Sequence, residues 1–340
     1  MTTRVQLQGI TFTLILLGLV FMNRQHPEEL PAGFTATAAT TISNDAAVES
    51  RAAVPETAAA DATDAADVSA VPRAITTYAA LEPSGSRTSG ETAGRPAAHE
   101  RAPAISAAAA FVTELSSPYP RFARYPDRRR PLASLTKLMT AVVAAETMAP
   151  NQTVALDEAA VATEGGVGGF LPGETFTVAD LTAAMLIGSS NDAAVALARA
   201  YGIPAFLEKM RDRAFALGMV HTAFADPSGL SVLNQSTVAD LARLTEYLVT
   251  RHPALLSITT RRSAIIREQK TGLTRTVLAT NQFAGTPEFL GGKTGYTDEA
   301  RGNLLSLFAI GGQTFTVIVL GTDDRFGDTE RIRSWLTTTP

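Results

Sequence analysis

The sequence predicts a mixed α/β domain of the α+β kind, in which an antiparallel sheet formed from both chain ends is flanked by a helical block. Three observations carry that expectation. One strand-like segment of small residues, "AISAAAAFVTEL" (104–115), precedes a long region of helical periodicity. From about residue 263 the pattern changes to a run of strand-like segments, closed by a last helix-like stretch, "DTERIRSWL". The final two strand segments, "NLLSLFAI" and "TFTVIVLG", meet at Gly311–Gly312, a strong hairpin signal.

The remaining elements follow in order. "PRFARYPDRRRP" reads as a turn leading to the first helix. That helix is expected from about Ser134 to Met148, because apolar residues at 135, 138, 139, 142, 143 and 145 keep close to helical spacing. "ETFTVADLTAAMLIGSSNDAAVALARAYG" reads as two helices broken at Gly188–Asn191. "IPAFLEKMRDRAFALG" is another helix, stopped by Gly218. "STVADLARLTEYLVT" follows, with Ser236 as its expected N-cap. Strands are expected in "SAIIRE", "LTRTVLAT" and "EFLGGKTGYT" ahead of the terminal hairpin.

A chain of 340 residues could hold two domains, but much of this one lacks the means to fold. Residues 31–104 are dominated by Ala, Thr, Pro, Gly and Ser with scattered charge, and large apolar side chains are sparse and aperiodic. Such a segment buries too little apolar surface to offset its ordering entropy, and reads as a disordered linker. Ahead of it, Arg4 precedes the apolar run "GITFTLILLGLVFM" (9–22). The small-x-small cleavage signal of a removed leader is missing just beyond that run, with the nearest candidates near Ala36–Ala38. An uncleaved signal anchor is favoured over a cleaved signal peptide, and in either case the rest of the chain is exported. Three parts are expected: 1–30 as a signal anchor or transmembrane segment, 31–104 as a disordered linker, and 105–340 as the folded domain that carries any function.

Composition excludes several classes of function. The net charge is −4, and no basic stripe with interleaved aromatics suggests nucleic acid as a partner. "RRR" at 128–130 is a short cluster, read as a solvated turn. Without cysteine there are neither disulfides nor thiolate metal sites. His26 and His99 fall in the N-terminal parts, while His221 and His252 have no carboxylate or histidine at ligand spacing, so neither metal nor cofactor is expected. No Gly-x-Ser-x-Gly is present, and no Ser-His-Asp arrangement is supported.

The lysines carry more information. Of 29 basic residues only four are lysines, at 137, 209, 270 and 293. Lysine can lose its proton when buried, whereas arginine in practice cannot. Ser134 and Lys137 stand at i and i+3, on one helical face, at the head of an otherwise apolar run. If they start the helix, the Ser134 N–H is free to donate, giving a nucleophile, a candidate base and half an oxyanion hole. A capping serine with a snorkelling lysine would look the same. "IGSSNDAA" adds Ser189 and Asn191 in a polar break between apolar helices, which is also an ordinary N-cap pattern. "GGKTGYT" adds Lys293 and Thr294 on a strand, with Gly295 allowing close backbone approach.

Ser-x-x-Lys, Ser-x-Asn and Lys-Thr-Gly, in that order, resemble the motif set of penicillin-binding proteins and serine β-lactamases. The flanks "PLASLTKLMTA", "MLIGSSNDAAVALA", "HTAFADPSGL" and "GGKTGYTDEARGNLL" look like the D-alanyl-D-alanine carboxypeptidase branch, over about 104–337. The resemblance implies a β-lactamase/DD-peptidase-like fold and a set of roles. Ser134 would attack the penultimate D-Ala carbonyl of a peptidoglycan stem peptide, with Lys137 as its base. Ser189 and Asn191 would relay protons and hold the substrate amide. Lys293 would supply positive potential, Thr294 would bind the terminal carboxylate, and the N–H groups of Ser134 and Tyr296 would form the oxyanion hole. β-Lactams would acylate Ser134 and stay.

Departures from the family pattern matter too. An arginine commonly follows "TN" ahead of the Lys-Thr-Gly strand, but here Gln282 stands in its place, leaving Arg325 or Arg301 to contribute. The chain ends soon after its closing helix, so the extra C-terminal β-domain of many relatives is expected to be absent, with anchoring at the N-terminus. A second Lys-Thr-Gly at Lys270–Gly272 suits a hairpin turn, and Lys209 a helix surface. The Glu-x-x-Leu-Asn segment of class A β-lactamases is missing between Asn191 and Lys293. A DD-endopeptidase acting on D-Ala cross-links shares every motif and stays open, as does a non-catalytic peptidoglycan-binding protein.

Overall fold

The computed structural model describes residues 102–338 apart from 116 and 118, so the expected anchor and nearly all of the expected linker lie outside the described residues. The chain enters through β1 (Ala109–Glu114) and returns as β2 (Pro120–Arg124). The segment expected to be only a turn therefore carries a strand. Its alternation is legible afterwards: Pro120, Phe122 and Arg124 are half-buried on one face and Arg121 and Ala123 exposed on the other, with Phe122 edge-on against Trp335 and Arg124 donating to the Ile105 carbonyl. β3 (Arg130–Pro131) leads to a single 3-10 turn (Ala133–Leu135) and then α1 (Thr136–Thr147). There follow β4 (Thr153–Ala155), α2 (Glu158–Val161), β5 (Thr175–Thr177), α3 (Val178–Ile187), α4 (Asn191–Tyr201) and α5 (Ile203–Ala216). Next come β6 (Gln235–Ser236), α6 (Val238–Arg251), α7 (Pro253–Thr259), β7 (Ser263–Arg267) and β8 (Thr274–Leu278). β9 (Phe289–Thr297), β10 (Arg301–Ile310), β11 (Gln313–Thr322) and α8 (Arg325–Thr338) complete the described chain.

The sheet runs β2-β1-β11-β10-β9, every neighbouring pair antiparallel, so both ends of the domain do supply it. It is the middle layer. Ala109, Phe111, Leu305, Leu307, Ile318 and Leu320 face one core, shared with the helices from α1 to α7. Ala110, Val112, Leu304, Phe308, Val317 and Val319 face a second core, closed by Ile332 and Leu336 of α8. Burial on both faces explains why these strands read as continuous apolar runs rather than alternating ones. The β10–β11 turn has φ of 58° and 82° at Gly311 and Gly312, a left-handed pair that glycine adopts without strain.

Three local expectations are corrected. Thr237, not Ser236, caps α6: its hydroxyl accepts the Asp240 N–H at 3.1 Å, while Ser236 Oγ is engaged with Thr222 Oγ1 at 2.7 Å. β7 and β8 form their own two-stranded sheet instead of joining the central one, packing on α3. α7, a seven-residue helix with Pro253 in its first turn, was not anticipated because its sequence is too short for periodicity.

Candidate active site

Ser134 sits in the 3-10 turn that precedes α1, held there by backbone geometry rather than by its own side chain. Ala133, just before it, has φ +47°, a left-handed conformation unusual for a residue with a side chain. Gly229 explains how that turn is pinned: any Cβ there would overlap the Ala133 carbonyl. Gly295 of β9 abuts the same turn from the sheet side, where a Cβ would stand 2.9 Å from the Leu132 carbonyl oxygen and 3.2 Å from the Ser134 nitrogen. The missing side chain thus lets the edge strand lie against the nucleophile's own turn.

Lys137 is one helical turn on and 0% exposed. Its Nζ lies 2.8 Å from Ser134 Oγ, 2.6 Å from Asn191 Oδ1 and 2.6 Å from the Ser228 carbonyl oxygen. Burial lowers its pKa from 10.5 to about 7, with Asp226 pulling weakly the other way. Two of the three partners are carbonyl oxygens that can only accept. When the amine is neutral its two hydrogens stay with those carbonyls, and its lone pair faces the one partner able to donate, the Ser134 hydroxyl.

Asn191 begins α4, with its Nδ2 donating to the Glu164 carbonyl at 2.6 Å, which fixes the amide and aims Oδ1 at Lys137. Ser189 lies in the break before α4 with φ +65°. Its hydroxyl accepts from Lys293 Nζ at 2.8 Å. Lys293 is 1% exposed, and its pKa is driven well below 10.5 by burial first, then by the charges of Lys137 and Arg325. Thr294 Oγ1 lies 2.8 Å from Thr280 Oγ1, and Tyr296 is exposed at the cleft rim. Of the expected site residues, Ser134, Lys137 and Asn191 are joined by hydrogen bonds, Ser189 is joined to Lys293 of β9, and Gly295 abuts the Ser134 turn with Thr294 and Tyr296 as its neighbours on that strand.

Sequence reasoning missed the loop from Asp226 to Asn234, although "HTAFADPSGL" was noticed as a flank. Asp226 Oδ1 accepts from the backbone of Ser228 and Gly229, both at 2.7 Å, and Oδ2 from Ser231 N–H at 2.7 Å. Asn234 ties the same loop to the nucleophile's helix, its Nδ2 donating to Thr136 Oγ1 at 3.1 Å. Thr280 was also missed. Gln282 is exposed in the β8–β9 loop. Arg301 pairs with Asp323. Arg325 is partly buried beside Tyr296, and its Nε has no partner among the described residues.

The decoys resolve plainly. Lys270–Gly272 forms the β7–β8 turn, with Glu268 accepting the Lys270 and Thr271 N–H groups and Lys270 Nζ reaching the Gly173 carbonyl at 2.8 Å. Lys209 is exposed on α5. His221 is exposed, its N–H donating to Asp240 at 2.9 Å. His252, with no carboxylate at local ligand spacing, nonetheless has its Nε2 3.1 Å from Glu146, 106 residues away in sequence. Arg130 is not simply solvated, since its guanidinium lies over Gly321.

Comparison with known proteins places the chain in a family. The family profile described as D-alanyl-D-alanine carboxypeptidase matches residues 96–324. A D-alanyl-D-alanine endopeptidase of Pseudomonas aeruginosa is 32% identical over 250 residues, covering 69% of this chain and 78% of that protein. The crystal structure of a D-alanyl-D-alanine carboxypeptidase from Mycobacterium tuberculosis superposes with a TM-score of 0.66 at 27% identity, covering 73% of this chain and 97% of the other. Penicillin-binding protein D2 of Listeria monocytogenes, solved with cefotaxime bound, gives 0.61 at 30% identity, over 68% and 97% of the two chains. The chain belongs to the D-alanyl-D-alanine carboxypeptidase family of serine peptidases.

Proposed function

We propose that the family's reaction, hydrolysis of the D-Ala-D-Ala bond of peptidoglycan stem peptides, runs here through an acyl-enzyme on Ser134. The observation that carries this reading is the buried Lys137 amine 2.8 Å from Ser134 Oγ, with its other two contacts occupied by carbonyl oxygens. Neutral Lys137 takes the hydroxyl proton as Oγ bonds to the carbonyl carbon of the penultimate D-Ala. The oxyanion that forms is held by the N–H groups of Ser134 and Tyr296. The C–N bond then breaks, and the leaving amine receives the proton through Ser189, which Lys293 orients. Asn191 holds the substrate amide. Water adds to the acyl carbon, returns its proton through the same base, and frees Ser134.

The terminal carboxylate is assigned to Thr294, whose hydroxyl is shared with Thr280, in the positive field of Lys293. Arg325 supplies the arginine charge that Gln282 cannot, since it stands close enough to depress Lys293. β-Lactams, which carry an amide and a carboxylate at similar separation, acylate Ser134 by the same first step. The exported, membrane-tethered placement rests on the apolar run at 9–22 alone.

The test is intact mass spectrometry of the full-length chain with a fluorescent penicillin, alongside a pentapeptide ending in D-Ala-D-Ala. A penicilloyl adduct on Ser134 and release of one D-Ala are expected, both absent in Ser134→Ala. A folded wild-type chain that forms no adduct and releases no D-Ala would refute the reading.

A further inference from the structure

Arg130 begins β3 and stands four residues ahead of Ser134, at most about 14 Å of extended chain. Its guanidinium lies against Gly321, where a Cβ would stand 2.5 Å from Nη2 and 2.9 Å from Cζ. Hydrogen bonds fix the frame around it. The Gly321 N–H donates to Asn303 Oδ1 at 2.9 Å, and Asn303 Nδ2 donates to the Pro131 and Leu132 carbonyls at 2.9 and 3.0 Å. The contacts that hold the approach to the nucleophile turn therefore also hold Arg130.

So placed, the guanidinium has no partner of its own. Among the described residues it makes neither a hydrogen bond nor an ion pair, and its Nε is buried. Burial first, then the like charges of Arg128 and Arg301, push its pKa below 12.5. Arg128 lacks a carboxylate as well, its guanidinium lying 5.8 Å from the centre of the Tyr125 ring. Arg301 pairs with Asp323, which offsets one charge of the three. The other carboxylates of the adjoining turns do not complete the set. Asp324 accepts the Gly327 N–H and Asp298 the Tyr296 hydroxyl, while Asp127 and Glu299 are exposed and pair with none of these arginines. Three guanidiniums gathered in this way repel one another, and burying one adds a desolvation cost. An anion relieves both, and the planar fork of arginine matches a carboxylate.

Position says which anion. With the attacked carbonyl at the Ser134 and Tyr296 N–H groups and the leaving carboxylate at Thr294, the acyl half of the substrate continues past Tyr296. A strand advances about 3.3 Å per residue, so the residue before the penultimate D-Ala lies beside Thr297, the last of β9. Arg301 is the cross-strand partner of Thr297. Thr297 shares its face of the strand with Gly295, the face that abuts the Ser134 turn. A side-chain carboxylate there meets the arginines, whereas a lysine side chain meets charges of its own sign. We propose that Arg130, Arg128 and Arg301 form an anion subsite for a side-chain carboxylate on the residue immediately before the penultimate D-Ala. The chain then selects stem peptides whose third residue is a dicarboxylic diamino acid over those with lysine there. The proposal rests on the preceding assignment of Ser134, Tyr296 and Thr294, which sets the direction.

The test compares the full-length wild-type chain with Arg130→Met and with Arg128→Gln, an exposed position. Each is given a pentapeptide ending in D-Ala-D-Ala with a side-chain carboxylate on its third residue, the same peptide with that group as a carboxamide, and a fluorescent penicillin. The wild type is expected to favour the carboxylate peptide at least tenfold in kcat/KM, chiefly through KM. In Arg130→Met the two peptides converge to within twofold, and Arg128→Gln narrows the preference at least threefold. Penicillin acylation stays within twofold of wild type in both. Equal wild-type rates on the two peptides overturn the proposal and leave the Ser134 reading standing, as does a preference that survives in both variants. If Arg130→Met also loses penicillin labelling, Arg128→Gln decides, and an undiminished preference there overturns the subsite. A wild type that neither binds penicillin nor releases D-Ala sinks both readings.

Discussion

Lys293 on the sheet and Ser189 at the head of a helix, 104 residues apart in sequence, share a hydrogen bond of 2.8 Å that closes the cleft over a buried amine. The contact joins the two halves of the domain at the point where a substrate carboxylate would enter. Burial lowers the Lys293 pKa well below 10.5, and the positive potential of its protonated form is little screened by water.

Replacing Lys293 by Met keeps the volume and removes the charge. Penicillin acylation and D-Ala release are expected to fall by about 10²-fold or more, the scale of losing one preorganised electrostatic contact. Thermal unfolding should show the fold intact or slightly stabilised, because an amine at 1% exposure is costly to bury. Second-order acylation rates within threefold of wild type would contradict the role given to Lys293.

Asp226 is the keystone of the loop that presents the Ser228 carbonyl to Lys137. Asn at this position offers one acceptor oxygen where the carboxylate accepts from Ser228, Gly229 and Ser231 N–H groups. Stability should drop by about 1–3 kcal/mol, measured by denaturant melts. The same change removes the one nearby charge that raises the Lys137 pKa, so the acidic limb of the acylation profile should move to lower pH. An unmoved limb with an unchanged melt would refute both statements.

Gly229 tests the pinning of the nucleophile turn. Its φ of +93° and its contact with the Ala133 carbonyl leave no room for a methyl. Gly229→Ala should lose most penicillin labelling while the far-UV spectrum stays native, and should cost more than about 1 kcal/mol. Full labelling would mean the turn does not depend on that contact.

The residues that were legible in the sequence are those whose chemistry is tied to an element boundary. Ser134 and Lys137 share one turn of helix, Ser189 and Asn191 fall in a break between apolar runs, and Lys293 stands in a strand whose neighbours are plainly apolar. The Ser228 carbonyl was not legible, because every residue has one and only the loop's path brings this one to Lys137. The cap of α6 slipped by one residue since Ser236 and Thr237 carry equivalent hydroxyls, and the pairing of β6 with β3 decided between them. β2 was hidden by its flanking prolines and by Arg124, whose guanidinium folds back onto the Ile105 and Ala107 carbonyls. The His252 pair with Glu146 spans 106 residues and no local pattern could announce it.

The central claim is that Lys137 is the neutral base for Ser134, and the pH dependence of acylation tests it most directly. The second-order rate of penicillin acylation of the full-length chain would be followed by intact mass from pH 5 to pH 9. A lysine lowered to about 7 must lose its proton to act, so the rate should fall about tenfold per pH unit below 7 and level off above it. A rate that stays flat from pH 5 to pH 9, or that rises only above pH 9 as an ordinary lysine would dictate, would contradict the account.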